Sequence, residues 1–312
     1  MGDRPGPPTG HRGLGHGRCR PGPGPAGDPG RGDHRGGVAV PPAPAGRPVT
    51  RATRATGWGH GWAVARAVCV RGLRRVMARP ILIMPTIVMP VFFVVSFTGA
   101  FSALTRIEGY GTDNVYNWMA PYAALQGAVF AGVGGAASAA DDLENGFFDR
   151  LLLTPGGRFP LLAGTIGYSG VRSLIPTTAV LVVSYFGGLA LPGGPVGLVS
   201  LYVATVGMAV VFCLIGLAIV YRMRTMRSMM IVQVLGFSLM FLSIGQVPIR
   251  FLDSWLHTAA RVNPLTNVLR LARQGFIGDL SWSVTWPGLV AVAAMTLGAG
   301  FAAHRGLVKM AP

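Results

Sequence analysis

Apolar residues in this chain come in long unbroken runs, and the polar residues are gathered into the gaps between them. Six runs stand out, at 81–104, 118–140, 173–192, 196–221, 228–247 and 283–303. About 20 apolar residues, rising about 1.5 Å each, are needed to cross about 30 Å of hydrocarbon, and each run meets that length. Backbone polar groups in lipid must be bonded within their own segment, so the runs predict helices rather than barrel strands. The expected fold class is therefore an all-α polytopic membrane protein with six transmembrane helices. Pro85 and Pro90 predict a kink in the first of them.

Two amphipathic stretches flank these runs. In "WAVARAVCVRGLRRVMAR", 62–79, Trp62, Val64, Val68, Val70, Leu73 and Val76 alternate at approximate helical spacing with Arg66, Arg71, Arg74, Arg75 and Arg79. That pattern predicts an N-terminal helix lying in the cytoplasmic interface. In "RVNPLTNVLRLARQGFIGD", 261–279, Leu265, Val268, Leu269, Leu271 and Phe276 interleave with arginines, giving a segment too short and too charged to span. It predicts a re-entrant or amphipathic helix before the last span, with Asn263 as N-cap and Pro264 in the first turn.

Composition agrees with the pattern. Only 12% of the 312 residues are charged and 51% are hydrophobic, where soluble domains carry about 25% charged residues. The formal net charge of +16 comes from placement: 14 of 27 basic residues, all arginine, lie before residue 80. Residues 1–59 are dominated by Gly, Pro and Arg and predict a disordered tail ahead of a membrane domain at 60–312. A true start near Val38 is the alternative for that tail. An arginine-rich tail can bind nucleic acid or anionic lipid, but its simplest reading is a solvated segment with no specific nucleic-acid partner.

Basic flanks also orient the spans, because Arg and Lys stay on the cytoplasmic side. With the N-terminus inside, 22 basic residues fall in inside segments and 5 in outside ones. Both termini are thus expected in the cytoplasm of a multi-pass plasma-membrane protein. Cys19, Cys69 and Cys213 are widely separated, and the six histidines form no metal-binding spacing. No metal or cofactor site is expected. "GYSG" at 167–170 lacks the second glycine of a nucleophile elbow, because Val171 stands in its place.

The polar stretch "DDLENGFFDRLLLTP", 141–155, then falls in the cytoplasmic connection between the second and third spans. Asp141, Asp142, Glu144 and Asp149 offer carboxylates to basic residues of a partner, while Phe147, Phe148 and Leu151 can fill an apolar groove. Inside the spans, Gln126, Gln233 and Gln246 can bond between helices or line a path. Met226, Met229, Met230, Met240, Phe237 and Phe241 can form an adaptable apolar surface or ordinary packing. Gly127, Ala131 and Gly135 make a ridge of small residues suited to a dimer seam or to packing within one bundle.

Together the two polar stretches resemble the membrane subunit of type-2 ABC exporters, particularly the daunorubicin-resistance-type permeases, over roughly residues 60–310. The family's E-x-G-x-x-x-R-L-x-x-x-P-like pattern is matched by Glu144, Gly146, Arg150, Leu151 and Pro155, and its external N-P…R-like stretch by Asn263, Pro264 and Arg270. The resemblance implies an ABC ATPase subunit as partner, contacted through the 141–160 loop and the helix at 62–79. It further implies a permease homodimer embedded in membrane lipid and export of a hydrophobic drug, antibiotic or lipid-like small molecule. ATP and Mg would sit on the partner. A P-loop needs a lysine, and here the only one, Lys309, is followed by Met310. The alternative is an ion-coupled secondary transporter, against which stands the absence of ionisable residues within the six runs.

Overall fold

The computed structural model describes residues 58–103, 112–147, 159–246 and 248–310. The tail at 1–57 lies outside them, as do Phe148, Asp149, Arg150, Leu151 and Pro155. The described elements are helices: α1 (Trp58–Ala78), α2 (Met84–Phe101), α3 (Val115–Glu144), α4 (Phe159–Phe186), α5 (Gly194–Met223), α6 (Met229–Phe241), α7 (Ser254–Val262), α8 (Pro264–Ile277) and α9 (Trp282–Lys309). Five of them, α2, α3, α4, α5 and α9, are long and apolar enough to cross a membrane.

α3 is the axis of the bundle, touching α2, α4, α5, α6 and α8. Its composition explains why. "AALQGAVFAGVGGAASAA" carries so little side-chain volume that neighbours approach to backbone contact. A Cβ on Gly132 would lie 2.4 Å from the Ala209 carbonyl of α5, and one on Gly135 would meet Ser169 of α4. Gly127 faces Pro176 of α4 and Pro90 of α2, and Ala131 is fully buried. The small-residue ridge is therefore packing within one chain. α2 and α9 stand at the periphery, with few of their residues fully buried.

Local signals set the ends of α3. Asn114 accepts a hydrogen bond from the Tyr116 N–H at 2.9 Å as its N-cap. At the other end the Asn145 N–H donates to the Asp141 carbonyl, and Gly146 turns the chain at φ +66°.

Four expectations change. Asp141, Asp142 and Glu144 belong to the last turn of α3 rather than to a loop, because nothing interrupts helical bonding after residue 140. α4 begins at Phe159, fourteen residues before the predicted span, so Arg172 stands inside a long helix. Pro85 lies in the first turn of α2, where its missing N–H costs nothing, leaving Pro90 as the proline inside that helix. The fifth run, 228–247, yields only the 13-residue α6. Beyond it, the carbonyls of Ile244 and Gly245 turn to Arg273 of α8 instead of continuing a helix.

Candidate functional site

The helices define two ends of the bundle, and polar chemistry is concentrated at both. One end carries α1, the start of α4 and the finish of α3. There α1 packs along the first half of α4, with Gly72 against the Tyr168 ring and Gly164 against Ala65 and Val68. This packing brings two arginines of α1 onto two aspartates of α3. Asp142, only 8% exposed, takes Arg71 through both carboxylate oxygens and Arg75 Nη1 at 3.4 Å. Asp141 pairs with Arg75 Nη2 and accepts from Asn145 Nδ2 at 3.1 Å. The two carboxylates predicted to stand free for a second polypeptide are thus held by their own chain.

What remains open at this end is the rim. Glu144 is exposed and accepts the Met226 N–H at 2.6 Å, tying the foot of α3 to the turn before α6. Phe147 is exposed, and the Arg71 guanidinium lies 4.4 Å above its ring. Among the described residues, a Cβ on Gly146 would meet nothing within 4 Å. Burial raises the Cys69 thiol of α1 above its ordinary pKa, which disfavours the reactive thiolate.

The opposite end is organised by α8. Asn263 caps it by accepting from Leu265 N at 3.0 Å, and also donates to the Leu239 carbonyl of α6 at 2.6 Å. Pro264 occupies its first turn, and Gly278 at φ +83° ends it. Gly275 meets Gly197 of α5 backbone to backbone; a Cβ there would lie 2.1 Å from the Gly197 Cα. The helix is a plug packed among α3, α5 and α9, its apolar face buried as the pattern required.

The buried cation of this helix is Arg273. Arg270 is exposed, whereas Arg273 is 2% exposed and donates to the carbonyls of Trp118, Ile244 and Gly245 at 3.2, 3.1 and 2.8 Å. Its guanidinium also lies 3.7 Å from the centre of the Trp118 ring. Sequence spacing could have found it: Arg273 shares the helical face of Leu265, Leu269 and Phe276, while Arg270 lies on the other.

Arg172 was also missed as an interior residue. Buried between α2, α3 and α4, it donates to Tyr168 Oη at 3.0 Å and to Thr86 Oγ1 at 3.1 Å. It lies one residue before the predicted run at 173–192, and the longer α4 brings it into the bundle.

Between the two ends, phenylalanines form a continuous ladder. Phe101, Phe97 and Phe93 stack along α2; Phe93 meets Phe241 of α6, Phe241 stacks on Phe237, and Phe237 meets Phe130 of α3. Gln126 and Gln233 face a cavity of about 10 Å³ beside Phe130 and Phe237, whereas Gln246 lies beyond α6. Met229 and Met240 are buried, while Met226 and Met230 are exposed, so those methionines do not form one surface. Among the described residues no cluster of His, Cys, Asp or Glu could hold a metal.

Long apolar helices with charge gathered at the two ends define a multi-pass membrane protein. Residues 64–277, from α1 to the end of α8, match the family described as ABC-2 type transporter, and the chain belongs to that family. It is also similar to "Putative transport permease ycf38" of Cyanophora paradoxa, 26% identical over 203 residues that cover 62% of this chain and 68% of that protein. The chain is thus the membrane subunit of a transporter, and both ends described above fall within the matched region.

Proposed function

We propose that this permease subunit exports a hydrophobic drug, antibiotic or lipid-like molecule from the cell, driven by ATP hydrolysis on a separate ABC ATPase. The observation that carries the reading is the junction of Arg71 and Arg75 with Asp141 and Asp142. It couples α1 to the foot of the helix on which five others pack. A force applied to α1 or to the exposed Glu144–Phe147 turn would therefore reach the whole bundle. Exposed Phe147 and Glu144 supply an aromatic anchor and a rim charge of the kind a soluble partner uses.

This end is assigned to the cytoplasm. By sequence, with buried Arg172 and Arg273 set aside, this assignment puts 21 basic residues in inside segments and four in outside ones. The phenylalanine ladder gives an apolar cargo a surface to follow, and a second copy of the permease would complete the path. Membership in the family implies an ABC ATPase in general.

The test is reconstitution in vesicles. Cargo should move only when the ATPase and ATP are both supplied, and a cysteine at Phe147 should crosslink to the ATPase. Transport by the permease alone on an ion gradient would falsify the proposal and favour a secondary carrier.

A further inference from the structure

The connection between α5 and α6 lies at the end of the bundle that carries α1, and the coupling role uses it only through the Met226 N–H that Glu144 accepts. In "YRMRTMRSMM", 221–230, Arg222, Arg224 and Arg227 alternate with Met223, Met226 and Met230, and all six are exposed. The last turns of α9 come up beside them: Gly306 packs on Tyr221 of α5, where a Cβ would lie 3.1 Å from the Tyr221 Cβ. That contact adds Arg305 and Lys309, both exposed, to the same corner. Among the described residues, none of these five cations pairs with a carboxylate. The carboxylates described at this end are Asp141, Asp142 and Glu144; α1 holds the first two, and the third accepts the Met226 N–H. Like charges gathered in one corner repel one another, and an anion in front of them lowers that cost.

Two features decide which anion fits. The cations sit where helices end, since α5 finishes at Met223 and α6 begins at Met229. They also border exposed apolar side chains: Met230, Ile231 and Val234 on α6, and Leu297 and Phe301 on α9. The Arg305 guanidinium lies 4.4 Å from the centre of the Phe301 ring, one turn back along α9, so the cation is laid against the apolar face instead of reaching away from it. A phospholipid meets both kinds of surface, with phosphate on the guanidinium groups and hydrocarbon on the apolar side chains. A soluble acidic partner or free phosphate would meet only the first.

We propose that this corner binds the headgroups of anionic phospholipids, with Arg222, Arg224, Arg227, Arg305 and Lys309 facing the phosphates and Met226 and Met230 entering the acyl boundary. Basic clusters of this size at the end of a span attract anionic leaflets. The site depends on neither the ATPase nor the cargo.

Binding of phosphatidylglycerol and phosphatidylcholine to the delipidated full-length protein, read by native mass spectrometry, tests it. Phosphatidylglycerol should be preferred about thirtyfold, and sn-glycerol 3-phosphate should not compete. Arg222→Gln, Arg224→Gln and Arg227→Gln combined should lower that preference about tenfold, and Arg305→Gln with Lys309→Gln about fivefold. If one set fails to fold, the other still decides. The control removes three charges from exposed positions of the α1 end, with Arg66→Gln, Arg74→Gln and Arg79→Gln combined, and should keep the preference within about twofold. The arginine-rich tail is common to every variant and cancels from the comparison. Equal losses in the turn and control variants would overturn the proposal, because the attraction would then follow net charge and not a site. Full competition by glycerol phosphate would overturn it too. So would an unchanged preference in both patch variants; loss of assembly between the turn variant and the ATPase would then assign the patch to an acidic protein surface.

Discussion

The two ends of the bundle hold positive charge in opposite ways. At the α1 end, arginines meet carboxylates across two helices; the Arg71 and Arg75 side chains are 40% and 32% exposed, within reach of water and salt. At the α8 end, Arg273 is sealed off and answered by backbone carbonyls and an aromatic face. Side-chain pairs at a wet surface are weak and can be exchanged for other partners. A buried guanidinium on fixed carbonyls has no alternative in lipid and cannot move without leaving polar groups unsatisfied.

The largest effect should follow Arg273→Met. It strands the carbonyls of Ile244 and Gly245 and should destabilise the protein by about 3–5 kcal/mol, seen as loss of monodisperse protein in detergent. Gly275→Ala comes next, at about 2–3 kcal/mol, because its new methyl would press on the Gly197 backbone rather than on a flexible side chain. A normal melting temperature for that variant would show that α8 is not wedged as described.

Asp142→Asn should cost less, about 1–2 kcal/mol, and differ in kind. Raising the salt concentration should lower the melting temperature of the parent protein, and this variant should lose most of that response while Gly275→Ala keeps it. Equal salt responses in the two would erase the distinction between the ends. Asn263→Ala should cost about 1 kcal/mol through loss of the α8 cap. The smallest change has the opposite sign: Arg224 sits at φ 53° after α5, and Arg224→Gly should raise stability by about 0.5–1 kcal/mol at that left-handed position.

Several elements could be read from the chain because each depends on near neighbours. Apolar run length predicted α2, α3, α4, α5 and α9 as spans, with ends shifted where helices extend beyond the apolar stretch. The caps at Asn263 and Pro264 were legible, since a side chain bonding two residues onward is a local event. The amphipathic faces of α1 and α8 were legible for the same reason.

The fifth run shows where such reading stops. By apolarity 228–247 is a span, yet Tyr122 crowds Gly245, and Arg273 takes the carbonyls that a longer helix would have used. Both residues are distant in sequence. The polar stretch behaved likewise: that Asp141 and Asp142 matter could be seen, but their partners, about 70 residues away on α1, could not.

Sequence alone therefore determined that this chain is helical, enters a membrane several times and gathers its charge between the runs, because solvation and local hydrogen bonding act residue by residue along a chain. Only the tertiary structure decided which cations are buried, which carboxylates are already taken and where α6 ends. Those outcomes depend on the groups that helix packing brings within bonding distance, and no local pattern specifies them.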